Sequence, residues 1–255
     1  MQDRLIDTHC HLDFSDFDHD RREIITSSKA MGIDTIILPS IARDNWAAVK
    51  TLSDEHPEIH PAFGLHPCFM DRHRLTDLSE LDQWLSENPA IAVGECGLDY
   101  RDKLSDRELQ LELFSGHLAL AEKHELPVLI HAVKALTDVI STLEEYPKVR
   151  GVLHSFSGSI EQAEILYKRG FVFGVGGPVS WKNARKIKKM VAMLPLDAIV
   201  LESDAPDQPP EKYRGKRNQP AWIVEVVEEI AKLHSLTTTE VAEFTTVNAQ
   251  RLFKL

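Results

Sequence analysis

Cysteine is scarce in this chain. Three are spread over 255 residues, Cys10, Cys68 and Cys96, and an odd number at wide spacing argues against a disulfide framework or a CxxC zinc knuckle. No apolar run approaches membrane-spanning length, and no low-complexity tract occurs. The opening segment carries Asp3, Arg4 and Asp7 and lacks an apolar core followed by a small-residue cleavage site, so it does not read as a secretory signal. A reducing cytoplasm is the expected location, with no membrane contact. Positive charge is also in short supply. The formal net charge of −11 repels polyanions and disfavours long contacts tracking along a nucleic acid, so any phosphate has to be captured locally. A glycine-rich phosphate loop is missing too: "FGVGGP" lacks the G-x-x-x-x-G-K-[ST] pattern, and its glycines are expected to serve tight turns.

Ordinary globular composition is present, with 43% hydrophobic and 27% charged residues. Short apolar, β-rich runs alternate with longer helical patterns: "LIDTH", "DTIILP", "IHPAFGLH", "AIAVGE", "PVLIH", "GVLH", "FVFGVGG" and "AIVLESD". Strands alternating with helices imply βα units around a parallel sheet. Eight of them without a composition break favour a closed (β/α)8 barrel, of the TIM type, over residues 1–255 as one domain. Ser105 with Glu108, Ser159 with Gln162, and Thr237 with Glu240 have capping-box spacing at helix starts. Gly32 and Gly170 stand where helices should stop. After the eighth run, the prolines of "APDQPPEKYRGKRNQP" forbid a regular helix and predict a long ordered loop.

The informative pattern is where the polar residues fall. His9 and His11 follow the first run, His66 the third, Glu95 the fourth, His131 the fifth, His154 the sixth and Asp204 the eighth. In a strand, His9 and His11 project from one face as a chelating pair, while Cys10 between them points outward into the helix layer. A parallel barrel brings all its strand C-termini to one mouth, so these seven residues converge. Singly, each could be a hydrogen-bonded interior group or a turn residue. Jointly, that reading must bury several titratable groups without partners, at a cost of a few kcal/mol each. Bound metal removes the cost. Four imidazoles (His9, His11, His131, His154) and two carboxylates (Glu95, Asp204) suit Zn, Mn, Co or Ni better than Mg or Ca. Six donors are too many for one catalytic zinc with an open position, and predict two divalent ions sharing Glu95 as the bridge. His66 is expected beside the metals or facing the substrate. His19, His56, His60, His73, His117, His124 and His234 have no ligand spacing and are read as solvated or supporting residues.

Taken together, "DTHCHLD", "GLHP", "GECGLDY", "HSFSG", "ESDAP", "RNQP" and "NAQRLF" resemble, in order and from end to end, the motifs of the TatD family of metal-dependent hydrolases. These are described as deoxyribonucleases within the amidohydrolase-like barrels. The resemblance implies one metal on His9, His11, Glu95 and Asp204, and a second on Glu95, His131 and His154. It also implies a glutamate bridge in place of a carboxylated lysine, and no lysine ends an apolar run here. One departure concerns the fifth strand, where many members have H-S-R and this chain has His131, Ala132 and Val133. If that arginine clamps a phosphate, substrate affinity or identity differs here, with Lys134 a partial substitute.

The expected chemistry is phosphodiester hydrolysis of DNA ends or short nucleic acids by water activated between two metals. Asp204, Glu95 and His66 are the candidate catalytic residues, with Asp204 orienting the water and accepting its proton. Arg217 and Asn218 in the long loop, together with His66, are the candidate substrate contacts. The run "KNARKIKKM" could add positive potential at the mouth, although a charge-rich helix is more often a solvated face. Two other readings keep the same residues: hydrolysis of a small ester, lactone or amide, and a metal-stapled binding module without catalysis. No obligate protein partner is evident, and a monomer is expected.

Overall fold

The computed structural model describes residues 4–101 and 106–255. The eight apolar runs form strands β1 (Leu5–Asp7), β2 (Ile33–Pro39), β3 (Ile59–Phe63), β4 (Ala92–Asp99), β5 (Val128–Val133), β6 (Gly151–Leu153), β7 (Val172–Val175) and β8 (Ile199–Leu201). They pair in sequence order, each parallel to the next. Just beyond the ladders, the first and last strands meet: Thr8 N and Thr8 Oγ1 each donate to Leu201 O at 2.9 Å. Ser203 N donates to Asp7 Oδ1 at 2.9 Å. The result is a nearly closed (β/α)8 barrel.

Helices α1 (Arg21–Ala30), α2 (Trp46–Glu55), α3 (Asp77–Glu87), α4 (Arg107–His124), α5 (Leu136–Glu144), α6 (Ile160–Lys168), α7 (Arg185–Met193), α8 (Ile223–His234) and α9 (Thr238–Phe253) surround it. The capping boxes at Ser159 and Thr237 form as expected, each hydroxyl accepting from the backbone of Gln162 or Glu240. The expected start at Ser105 lies outside the described residues. Within them, Asp106 caps α4, its Oδ1 accepting from Leu109 N at 3.0 Å. Gly32 and Gly170 follow α1 and α6 with φ of 88° and 83°, the left-handed region that costs a glycine nothing. The loop after β8 carries only two short 3-10 turns, Glu211–Tyr213 and Pro220–Trp222. Among the described residues, no helix is long and apolar enough to cross a membrane.

Two apolar layers hold the barrel together. The larger lies between sheet and helices and includes Cys10 and Cys96. The smaller takes one residue from each strand, Ile6, Ile37, Ala62, Ala92, Leu129, Val152, Val172 and Val200, and ends on Ala249 and Phe253 of α9. Asn248 of the same helix donates to Leu196 O and Ile199 O, which places α9 across the N-terminal end. An apolar plug at that end leaves the C-terminal end for polar groups.

Candidate metal centre

The polar residues at the strand ends do converge, by routes more varied than strand alternation. The β1 ladder ends at Asp7, so His9 and His11 lie beyond it. Ile6 faces the barrel interior while Cys10 joins the outer layer, so the facing pattern changes between them. Backbone bonds from Cys10 N to Ile37 O (3.1 Å) and from His11 N to Ala205 O (2.8 Å) wedge this segment between the ends of β2 and β8. Both imidazoles then turn inward, with Nε2 atoms 3.2 Å apart. In β4 the pairing register shifts between Val93 and Cys96, and both of these face the helices. The extra residue of this bulge turns Glu95 into the barrel.

Glu95 is the hub. Its Oε2 lies 3.0 Å from His9 Nε2 and 3.5 Å from His11 Nε2, while Oε1 lies 3.2 Å from both His66 Nε2 and His131 Nδ1. Asp204 Oδ1 stands 3.6 Å from His154 Nε2, 3.8 Å from His9 Nε2 and 3.9 Å from His11 Nε2. Its other oxygen accepts from Gln208 Nε2. His154 stacks on His9 with ring centroids 3.8 Å apart. All seven residues are buried, and most line a cavity of 780 Å³ at the C-terminal end of the barrel.

Burial opposes charge on Glu95, His131 and His154, and the fields within the cluster overcome it. Desolvation alone would raise the Glu95 carboxyl, yet the imidazoles of His66 and His9 and bonds from His11 and His131 hold it well below the carboxylate range. Burial opposes protonation of His154, but Glu202 and Asp204 push it up to about 10. Against the same desolvation, bonds to Asp99, Cys68 and Glu95 raise His131 well above the histidine range. His9 is lowered, first by burial and then by the field of His154.

A divalent cation fits this arrangement better than protons do. Two imidazole N–H groups cannot face each other across 3.2 Å, so His9 and His11 oppose a lone pair with at least one proton missing. Their Nδ1 atoms are buried without hydrogen-bond partners. Among the donor groups within ligating reach of one another, two share Glu95, His9 with His11 and Glu95, and Glu95 with His131 and His154. Nitrogen and carboxylate donors of this kind suit zinc, manganese, cobalt or nickel.

Supporting carboxylates stand behind two of the imidazoles. His131 Nε2 donates to Asp99 Oδ2 at 2.8 Å, leaving Nδ1 toward Glu95. His154 Nδ1 lies 3.1 Å from Glu202 Oε1, outside hydrogen-bond geometry, and that oxygen accepts from Ser155 N at 2.7 Å. Outer carboxylates of this sort fix ring orientation and raise ligand basicity. Sequence reasoning assigned neither. Glu202 precedes Asp204 by two residues just after β8, a usable signal, whereas Asp99 stands four residues past Glu95 across the bulge. Cys68 and Arg101 were missed as well: both line the cavity, and Arg101 Nη2 lies 2.6 Å from Asp99 Oδ2. Burial would raise the Cys68 thiol, but bonds with His131 and His66 and their fields lower it to about 7. Two histidines read as supporting residues act on the backbone at His66: His117 Nε2 accepts from Leu65 N at 3.0 Å, and His73 Nε2 lies 2.9 Å from His66 O.

Two expectations land elsewhere. Arg217 does not line the cavity; it donates to Asp20 Oδ1 at 2.9 Å and stacks over Phe17, because an acidic loop lies within its reach. Asn218 is buried beneath the loop, donating to Ser203 O at 2.7 Å and Asp207 O at 2.8 Å, where it fixes the backbone around Asp204. The "FGVGGP" glycines have no positive φ; Gly176 and Gly177 open the 3-10 turn Gly177–Ser180, as expected of turn glycines, and Gly174 and Gly177 also serve close approach. A Cβ on Gly174 would meet Glu202 Oε2 at 1.9 Å, and one on Gly177 would meet Gln208 O at 2.1 Å.

A family model described as TatD related DNase matches residues 6–254. The uncharacterized metal-dependent hydrolase YabD of Bacillus subtilis (strain 168) is 36% identical over 253 residues, covering 98% of this chain and 99% of that protein. The uncharacterized metal-dependent hydrolase YjjV of Escherichia coli (strain K12) is 34% identical over 255 residues, covering 99% and 98%. The crystal structure of YjjV, a TatD homolog, superposes with a TM-score of 0.95 at 33% identity over 100% of both chains. A TatD family hydrolase from Entamoeba histolytica shares the fold, with a TM-score of 0.84 at 19% identity over 99% of this chain and 98% of that one.

Proposed function

The chain belongs to the TatD related DNase family, and from that premise we propose that it is a metal-dependent hydrolase that cleaves phosphodiester bonds in DNA ends or other short nucleic acids. The observation that supports this reading is the convergence on Glu95 of four imidazoles within 3.5 Å, beside Asp204. His9, His11, Glu95 and Asp204 would hold one ion, and Glu95, His131 and His154 a second. Bound there, divalent ions supply an acidified water and balance charge on the phosphoryl oxygens.

The remaining work falls to the chain itself. Gln208 fixes one oxygen of Asp204, leaving Oδ1 toward the imidazoles to orient the attacking water and take its proton. Asp99 and Glu202 keep His131 and His154 turned toward the cavity. His66 presents its ring beside Glu95 at the cavity wall, where it faces the scissile group. Arg101 is the one lysine or arginine among the described residues lining the cavity, in a chain whose fifth strand continues with Ala132 and Val133. Its guanidinium is therefore the phosphate contact at this mouth. Charge elsewhere repels a long polyanion, which limits the substrate to a short segment or an end.

A second reading has its own support. The far side of the cavity is apolar, built from Pro178, Val179, Trp181, Ile187, Met190 and Val191, and would accept a small ester, lactone or amide as readily as a nucleobase. Release of mononucleotides from short single-stranded DNA distinguishes the two. The assay uses metal-stripped protein at low salt, with Mn, Zn, Mg or no ion added back and Glu95→Ala alongside. Metal-dependent release that vanishes in the variant supports the phosphodiesterase. No release with any ion, from folded protein that binds metal, overturns it in favour of the small-substrate reading.

A further inference from the structure

Cys68 stands at the cavity wall with the chemistry of a ligand and no part in the reaction described above. It sits on the 3-10 turn Pro67–Arg72, which His66 starts by accepting Cys68 N on its Nδ1 at 3.0 Å. The ligating atoms of His66, Cys68 and His131 all lie within 4.8 Å of one another. Behind them, Asp99 Oδ2 accepts from Cys68 Sγ at 3.2 Å and from His131 Nε2 at 2.8 Å. A thiol, two imidazoles and a carboxylate thus cluster at the cavity wall beside His131, whose Nε2 is turned to Asp99, while His66 Nε2 also lies 3.2 Å from Glu95 Oε1. The group already gathers positive charge: Arg101 Nη2 lies 3.2 Å from Cys68 Sγ and 2.6 Å from Asp99 Oδ2. More than half of that arginine side chain is exposed, so it can withdraw.

We propose that His66, Cys68 and His131, with Asp99 beside them, form a further, overlapping thiolate-containing zinc site that restrains turnover when zinc is in excess. Sulfur and imidazole donors select zinc or cobalt over harder cations. Binding takes the ion in, releases to solvent the thiol proton and the proton that His131 Nε2 donates to Asp99, and displaces the Arg101 guanidinium. The same event ties up His66 and draws His131 toward its outer nitrogen, so an ion here competes with the work of the centre beside Glu95. The site shares His66 and His131 with the centre beside Glu95 and adds Cys68 as a donor of its own, and its effect on turnover rests on the hydrolase reading.

Cobalt makes the site visible, because a thiolate bound to cobalt(II) gives a near-ultraviolet charge-transfer band that nitrogen and oxygen ligands do not. Cys10 and Cys96 are fully buried in the outer core, so such a band reports Cys68. Titrating the metal-stripped full chain with cobalt should raise a saturable band that zinc abolishes and that Cys68→Ser lacks. Cobalt bound without the band, or a band unchanged in Cys68→Ser, overturns the site while leaving the centre at Glu95 standing. The second arm uses protein supplied with the ion giving the fastest turnover. Cys68→Ser should match the wild type there, yet need about tenfold or more zinc for equal inhibition, since losing a ligand weakens metal binding at least as much as losing an outer partner. Equal inhibition in both proteins overturns the regulatory role. A chain that binds cobalt through Cys68 and hydrolyses no substrate would remove the proposed function and keep the site.

Discussion

Gly174 and Glu202 fit together only because Gly174 has no side chain: a Cβ there would stand 1.9 Å from Glu202 Oε2. The carboxylate reaches behind His154 through the space left on β7, and its Oε1 holds Ser155 N. One backbone position on a neighbouring strand thus sets the orientation of a proposed metal ligand.

Gly174→Ala should therefore damage the site before it damages the barrel. Forcing a methyl into a packed interior costs about 1–3 kcal/mol, readable by urea unfolding. Displacing the outer carboxylate should lower metal affinity about 10–100-fold, readable by equilibrium dialysis. Unchanged affinity together with the stability loss would mean that Glu202 does not orient His154.

His117 gives the fold a pH dependence that can be isolated. It is fully buried, accepts from Leu65 N and bonds to Leu113 O, and burial lowers it to about 4 from an ordinary 6.5. The native state keeps the ring neutral while the unfolded chain takes up a proton below 6.5. Its contribution is complete above pH 6.5 and is lost as pH falls toward about 4, at about 1.4 kcal/mol per pH unit. His117→Gln should cost about 1–3 kcal/mol at neutral pH through lost buried hydrogen bonds. The gap between variant and wild type should narrow as pH drops through that window. Taking the difference cancels other buried groups such as Asp7, raised by burial to about 7. A gap constant between pH 7 and pH 4.5 would refute the assignment.

Arg217 separates a fold contact from a substrate contact. Because it pairs with Asp20 and lies over Phe17 at the surface, Arg217→Ala should cost about 1 kcal/mol or less of stability. Its KM for a short oligonucleotide should equal that of the wild type. A KM raised severalfold with stability intact would return Arg217 to the phosphate.

How much of this was legible in the sequence follows from the same residues. The barrel was readable because eight short apolar runs alternate with helical patterns, and the convergence at its mouth because His9, His11, Glu95, His131, His154 and Asp204 each end such a run. The local reason was less secure. His9 and His11 share an orientation without sharing a strand, and Glu95 faces inward through a bulge that no period-2 pattern announces. Glu202 could have been found, since it directly follows β8 and stands two residues before Asp204. Arg217 could not, because its direction depends on a loop whose partner, Asp20, lies 197 residues away in the chain. His73 and His117 carry no spacing signal, since each meets the backbone near His66 from a different helix or turn.

Metal removal tests whether the ions serve chemistry or the fold. The interior layer from Ile6 to Val200, closed by Phe253, is apolar and complete below the polar cluster, so a stripped chain should retain its far-ultraviolet circular dichroism. Stability should fall by only the binding contribution, about 2.7 kcal/mol for an ion present at a hundred times its dissociation constant. Phe253→Ala, by contrast, should cost about 3–5 kcal/mol whether or not ions are present. Turnover should vanish in the stripped protein and return on adding an ion back, while Phe253→Ala retains turnover at temperatures where it is folded. If stripping instead unfolds the chain, the apolar layer is not sufficient to hold the barrel. The four imidazoles around Glu95 would then be a structural clasp, and the case for catalysis would rest on the cavity alone.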